Sequence, residues 1–337
     1  MLLRCCTALV VMVATAVPAF AQHQVKIGTG YGLAFLPIYI CEDLKLVEKY
    51  ARETHLDVKV SFPRLTGAAQ VQSAIVSGAI DMGPFGTAPL LSAWQKTKHT
   101  PTQILAVSGI TSLPLVLLST QPDERSIADL KSSDRIAVPT LTSPQMQLLE
   151  LQSEKIFGQY DRLRGQVVVL SHAAAVDALA HGASPERSHD KGGVTAYFSS
   201  PPFTEIALRD ANVHPILKSS DVIGGKFSFL IMAATKAYIE SEPQMAGVLD
   251  KAMDEAARVI RDEPRRAAQI YLTHEPSGTL DGAAMAAVIG DIKDEFGSAV
   301  YGVQTIADFM SRHGELKAPP RSWKEIVAPA LLDSSSS

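Results

Sequence analysis

Residues 66–87 read TGAAQVQSAIVSGAIDMGPFGT, and this stretch decides the fold class. Ala68, Val71, Ile75 and Ala79 recur at helical spacing and form one apolar face, and Gly78 is placed to end that helix. Residues 80–82 then alternate as a short strand, which ends at a loop rich in glycine. The stretch therefore predicts a helix, a strand and a polar loop at the strand's carboxyl end.

The same kind of unit occurs upstream of this stretch. Residues 25–27 predict a strand that breaks at the glycine-rich loop 28–32, and residues 35–50 predict the helix that follows. Residues 58–62 alternate as a second strand, after which Thr66 and Gly67 begin the next helix. Alternating strands and helices of this kind indicate an α/β fold.

Two apolar runs, residues 113–118 and 227–233, predict two crossing strands between lobes. We therefore expect an α/β protein with a first lobe of residues 24–112 and 233–330 and a second lobe of residues 113–232. Ligands of open α/β sheets bind at the carboxyl ends of strands, so the sequence predicts a ligand cleft between the lobes.

Two helix starts carry capping signals. Ser143 precedes Pro144, which is favoured at the first position of a helix, and Gly158 is placed to end that helix. Residues 241–244 (SEPQ) have the spacing of a capping box and predict the start of a long C-terminal helix.

The N-terminus has the pattern of an export signal. Arg4 supplies a positive charge, residues 8–17 are apolar, and residues 19–21 (AFA) have the small-x-small pattern that precedes cleavage. We expect residues 1–21 to be removed before Gln22 and the protein to be periplasmic. Cys41 is then the one remaining cysteine, so an internal disulfide is excluded.

Composition and motifs exclude several function classes. Lys and Arg total 31 against 35 Asp and Glu, so the net charge of −4 gives no basic footprint for nucleic acid. Leu33 stands where a dinucleotide-binding loop needs its third glycine, and Phe227 follows Gly-Gly-Lys where a phosphate-binding loop needs Ser or Thr. Cys41 lies in an apolar run typical of a buried cysteine. We expect no enzyme activity, no metal and no cofactor.

The residues that decide the fold also carry a family resemblance. Residues 74–83, followed by Gly86 and Pro89, resemble the AL-x-S-G-x-x-D-x-G signature of periplasmic substrate-binding proteins. The similar branch serves ABC importers of nitrate, sulfonates and taurine. Further matches run along the chain at residues 196–203, 220–225, 307–310, 314 and 322–324.

This resemblance implies a type II periplasmic-binding fold whose two lobes close over a ligand. It implies hydroxyl and amide hydrogen bonds to an oxyanion or heterocycle, aromatic walls from Tyr31, Phe85 and Phe203, and a counter-charge from Arg64. The implied ligand-binding residues are Tyr31, Gly32, Leu33, Tyr39, Arg64, Thr66, Gly67, Phe85, Gly86, Thr87, Ser108, Thr142, Ser143, Gln145, His172, Phe198, Ser199, Ser200 and Phe203.

The chain departs from the family pattern at two places. Relatives carry Ser-Gly-Gly where this chain has residues 65–67 (LTG), and the polar loop 181–193 is longer than the usual turn. A related branch that makes the thiamine pyrimidine has a cysteine-rich run, which this chain lacks.

The resemblance implies the monomeric solute-binding component of an ABC transporter. Its partners would be a small anionic or polar organic ligand and an inner-membrane permease with its ATPase. Nitrate, sulfonates, taurine, a pyrimidine and an aromatic carboxylate remain open as ligands. Two alternatives also remain: an exported sensor on the same fold, and an enzyme related to thiamine-pyrimidine synthesis.

Overall fold

The computed structural model describes residues 23–182, 193–276 and 278–332. The predicted signal peptide, its cleavage site between Ala21 and Gln22, and most of the predicted loop 181–193 lie outside these residues. Within the described ranges, no helix combines the length and the apolar character that a membrane crossing requires.

Short strands and longer helices alternate along most of the chain, so the predicted α/β class is confirmed. The strands are β1 (His23–Lys26), β2 (Val58–Ser61), β3 (Met82–Phe85), β4 (Ile104–Thr111), β5 (Val116–Ser119), β6 (Ile136–Val138), β7 (Val167–Val169), β8 (Ala196–Ser199), β9 (His214–Lys218) and β10 (Leu230–Thr235).

Helices dominate after β10. The helices are α1 (Leu36–Asp43), α2 (Leu46–Glu53), α3 (Ala68–Val76), α4 (Thr87–Thr97), α5 (Pro144–Phe157), α6 (His172–Gly182), α7 (Phe203–Ala207), α8 (Ser219–Ile223), α9 (Lys236–Ser241), α10 (Met245–Asp262), α11 (Pro264–His274), α12 (Gly282–Asp291) and α13 (Val303–Arg312).

The strands form two separate groups. In the first group β10 lies between β3 and β4 and is antiparallel to both, while β1 and β2 pair in parallel and reach β3 through a bridge between Ile27 and Met82. The second group is a sheet in the order β7-β6-β8-β5-β9. Its strands β7, β6 and β8 are parallel, and β5 is antiparallel to its two neighbours.

The chain passes between the two sheets at residues 112–115 and 219–229, and neither passage is itself a strand. The two apolar runs that predicted the crossings instead form β5 in the second sheet and β10 in the first. The pairing of β10 with β3 and β4 places residues 230–232 in the first sheet. The division at residues 112 and 232 stays a prediction.

Three local expectations differ from the structure. The helix predicted over residues 35–50 is two helices, because Lys45 has a left-handed backbone (φ 50°) and turns the chain between α1 and α2. The strand predicted over residues 80–82 lies at 82–85, since β10 provides a hydrogen-bonding partner for those residues. Ser241 ends α9 and donates to the Tyr238 carbonyl, so the predicted capping box is wrong.

Two large cores support the cleft region. One packs α1, α2 and α10–α12 against the first sheet and includes Tyr39 and Met253. The other joins the two sheets, because it contains Phe85 and Trp94 from the first-sheet side together with Leu149 and Phe198 from the second. Burial of this continuous apolar surface holds the two sheets together.

Candidate functional site

Arg64 lies at the centre of a polar cluster that follows β1 and β2. Its guanidinium carbon lies 4.9 Å from the centre of the Tyr31 ring and 5.1 Å from that of Tyr39. The two rings attract the cation through their negative faces and hold it in place. Thr29 and Arg64 form a backbone bridge between the two chain segments, so the parallel pairing of β1 with β2 positions the cluster.

Residues near the end of α11 complete this cluster. Arg64 Nη2 donates to His274 Nδ1 at 3.2 Å, and His274 Nε2 donates to Asp43 Oδ1 at 2.8 Å. A guanidinium only donates, so Nδ1 is the acceptor in the hydrogen bond from Arg64. Arg64 is partly buried and has no ion pair with a carboxylate in the described part of the chain. Arg64 nevertheless lies close enough to the Glu42 carboxylate to act on it electrostatically.

Glu275 fixes the loop that carries Tyr31. Its Oε1 atom accepts a hydrogen bond from the Gly32 N–H at 2.6 Å and another from the Tyr39 hydroxyl. The Tyr39 hydroxyl also contacts the Gly30 carbonyl, and burial raises the pKa of this phenol far above its usual range. Tyr39 is completely buried, so it supports Arg64 from below while Tyr31, 59% exposed, covers it from outside.

His172, Ser200 and Phe203 form a second cluster on the second sheet. His172 Nδ1 is hydrogen bonded to the Tyr197 hydroxyl, Nε2 lies 3.3 Å from Ser200 Oγ, and the ring stacks on Phe203 at 5.2 Å. Burial lowers the pKa of His172 to about 4, so the imidazole is neutral at pH 7. This cluster presents an aromatic face and neutral polar groups.

Contacts of α7 and the residues after it bring the second sheet close to the segment between α11 and α12. Ile206 packs against the core of the first sheet, and Arg209 Nη1 donates to the Thr279 carbonyl at 3.3 Å. At the start of α4, a Cβ built on Gly86 would lie 3.3 Å from the Pro144 ring of α5. The starts of α4 and α5 therefore meet where the two sheets face each other.

Four of the predicted ligand hydroxyls donate hydrogen bonds to backbone carbonyls. Thr87 donates to Ser228, Ser108 to Gly109, Ser143 to Thr140 and Ser199 to Val116, at distances of 2.6–2.9 Å. Ser143 also caps α5 by accepting from Met146 N, which confirms the predicted helix start, and α5 ends at Gly158 as expected. A hydroxyl donating in this way has no second proton to offer an anion.

Three predicted apolar ligand residues lie in the core. Leu33 and Phe198 are 0% exposed and Phe85 is 1% exposed. Phe85 and Phe198 belong to the core that joins the two sheets, so burial explains their position without a ligand. Phe85 does not share the exposure of Tyr31, with which the resemblance groups it as an aromatic wall.

Two buried polar atoms near the cleft lack partners among the described residues. Gln145 is 1% exposed and its Nε2 atom has no hydrogen bond, and the same holds for Oγ1 of Thr29. Unpaired buried donors are costly, and binding sites are places where they persist.

Three other predicted ligand residues, Thr66, Gly67 and Thr142, are exposed. The backbone N–H and the hydroxyl of Thr66 both donate to Gln70 Oε1, and the Thr142 hydroxyl is hydrogen bonded to that of Thr140.

His274 and Glu275 are not among the residues predicted from the sequence. Both lie more than 200 residues from the partners they contact, Arg64 in one case and Gly32 in the other. No local motif marks them, although a histidine and a glutamate together at a helix end are a weak signal. Cys41 is fully buried and burial raises the pKa of its thiol, in agreement with its predicted role as a core residue.

Comparison with known proteins supports the fold. A family model described as NlpA lipoprotein matches residues 33–157, which is less than half of the chain. No curated protein matches the chain in sequence.

Solved structures match over nearly the whole chain. The alkanesulfonate-binding protein SsuA from Xanthomonas axonopodis pv. citri, bound to MOPS, is 18% identical with a TM-score of 0.66; the match covers 93% of this chain and 98% of that one. The periplasmic aliphatic sulphonate-binding protein SsuA from Escherichia coli is 18% identical with a TM-score of 0.67, over 91% and 92%.

An enzyme has a similar fold. A mutant of DszB, in complex with biphenyl-2-sulfinic acid, is 13% identical with a TM-score of 0.59, over 93% of this chain and 98% of that one. The predicted two-lobed fold and the predicted resemblance to substrate-binding proteins of ABC importers are confirmed. At sequence identities this low, the structural similarity shows the fold alone. The ligand has to be inferred from the residues of this chain.

Proposed function

We propose that this protein is the exported solute-binding component of an ABC importer and that Arg64 binds the anionic group of a small organic solute. The observation that carries the proposal is the Arg64 guanidinium, which is held between two tyrosine rings and has no ion pair with a carboxylate in the described residues. Guanidinium groups bind oxyanions with paired, charge-assisted hydrogen bonds.

The second cluster suits the organic part of such a solute. Phe203 and the neutral His172 ring offer an aromatic surface, and Ser200 offers a neutral hydrogen-bonding group. A single cation opposite neutral groups favours a monoanion with an organic body over a dianion, because a second negative charge would have no partner.

We further propose that the site binds its ligand without chemical change. Ser200 lies beside His172, but a histidine with a pKa of about 4 is a weak base at pH 7. Tyr197 stands behind it where a carboxylate would be needed to stabilise an imidazolium. The remaining thiol, Cys41, is buried and protonated.

Thermal unfolding with a panel of nitrate, methanesulfonate, MOPS, taurine and benzoate tests the proposal. A solute at about 100 times its Kd adds about 2.7 kcal/mol to the free energy of unfolding, so one class of anion should raise Tm. Arg64→Gln should weaken that binding at least tenfold. Arg265→Gln, the same change at an exposed position of α11, is the matched control.

Two results would contradict the proposal. Equal binding by Arg64→Gln and Arg265→Gln would remove Arg64 from the site. Turnover of the bound solute, followed by mass spectrometry, would identify an enzyme instead.

A further inference from the structure

A separate cavity lies between α4, α5 and the end of α13. Its volume is about 400 Å3. It shares no residue with the Arg64 cluster or the His172 cluster, and Thr142 is its one member from the residues that the family resemblance implies. The proposed solute site makes no use of the cavity's polar wall.

That wall is a face of α5 that is unusually polar for its burial. Gln147 and Glu150 are one helical turn apart on this face, 9% and 3% exposed, and both line the cavity. Gln147 Oε1 has no hydrogen-bond partner among the described residues. A buried acceptor left in this way costs free energy, and a donor brought by a ligand would recover it.

Glu150 adds a negative charge beside this acceptor. Its carboxylate accepts from Arg164 Nε at 3.1 Å and from Nη2, while the Arg164 side chain is 54% exposed. Burial raises the pKa of Glu150 in spite of this pairing, so the carboxylate is only partly compensated. A carboxylate has about four acceptor positions, which leaves capacity for a further donor.

The rest of the wall is mixed, with apolar residues beside the polar or charged side chains of Gln72, Ser92, Arg164 and Glu315. Ala88, Pro89, Leu141 and Met310 line the cavity, and Lys96 lies at its exposed side. We propose that this cavity is a second ligand site, which binds a small organic ammonium compound with its nitrogen donating to Gln147 Oε1 and Glu150. An ammonium group has three donors, enough for both acceptors, and the apolar residues take its hydrocarbon part.

Isothermal titration calorimetry with n-pentylammonium chloride tests this site. We expect saturable binding of one equivalent, and no binding of sodium pentanoate, which has the same body and the opposite charge. Gln147→Leu keeps the side chain's size and removes the acceptor, so the Kd should rise at least tenfold. Gln159→Leu, the same change at an exposed position, should leave the Kd unchanged.

Two further variants test whether pentylammonium binds at this cavity and not at the Arg64 site. Glu150→Gln should also weaken pentylammonium at least tenfold, whereas Arg64→Gln should bind it as the unchanged protein does. Equal binding of pentanoate, no binding of pentylammonium, or full binding by Gln147→Leu would overturn the proposal. Loss of pentylammonium binding in Arg64→Gln would also overturn the second site. That result would not contradict the anion site of the proposed function.

Discussion

The Arg64 cluster and the His172 cluster are built in different ways. The Arg64 cluster is charged and joins segments far apart in the chain, because Arg64 and Gly32 depend on residues 274 and 275. The His172 cluster is neutral and compact in sequence, within residues 172–203. A charged side chain near water stays ordered only when several partners hold it. A neutral cluster can be held by one sheet edge and the helices beside that edge.

The two clusters differ in the chemical groups that they would recognise. Under the proposed function, the Arg64 cluster supplies a cation and the His172 cluster is neutral, so a ligand held by both would have one anionic end and one neutral end. The difference can be tested by changing each cluster separately and measuring stability and binding.

The largest expected effect concerns the neutrality of His172. Its pKa is about 6.5 in the unfolded chain and about 4 in the folded protein, so the unfolded chain binds more protons between these values. The stability that this histidine contributes is present above pH 6.5 and is lost as the pH falls towards 4, by roughly 3 kcal/mol. Urea denaturation at pH 4–7 should show this loss, and His172→Gln should reduce it.

The control for His172 is His99→Asn, at an exposed position with a positive φ of 65° that asparagine tolerates. If His172→Gln and His99→Asn had the same pH dependence as the unchanged protein, the neutral character of the second cluster would be refuted.

The next effect concerns the long-range frame of Arg64. Glu275→Ala removes a carboxylate that accepts from Gly32 N and from the Tyr39 hydroxyl. Hydrogen bonds to charged groups contribute about 1.5–3 kcal/mol, so the free energy of unfolding should fall by about 2 kcal/mol. Glu263→Ala breaks an exposed pair with Arg266 and should cost less than about 1 kcal/mol. Similar losses in both variants would show that Glu275 is an ordinary surface residue.

The smallest effect separates a cap from a ligand. Ser143→Ala removes the hydroxyl that accepts from Met146 N, so stability should fall by about 1 kcal/mol while solute affinity changes less than twofold. Ser143→Asp retains a capping oxygen and should recover most of the stability. A tenfold loss of affinity in the alanine variant would return Ser143 to the ligand site.

Local sequence signals predicted much of the architecture. The apolar spacing of residues 68–79 with Gly78 predicts α3, and Ser143, Pro144 and Gly158 bound α5, because helix faces, caps and left-handed ends depend on nearby residues. Ordered family matches along the chain indicated the two-lobed fold before any contact was known. They also singled out Arg64, Tyr31 and His172, whose neighbours could not be read from the same motifs.

Tertiary structure decided which of the polar residues remain available. The sequence predicts Thr87 and Ser199 as ligand groups. In the structure, each hydroxyl donates a hydrogen bond to a backbone carbonyl that is distant in sequence. No motif marks Glu275 in the sequence. It orders the loop around Tyr31 because the chain just after α11 contacts the Gly32 N–H, more than 200 residues away in sequence. Sequence spacing fixes what is near along a helix or strand. Partners across sheets depend on packing of the whole chain, and only the folded structure determines them.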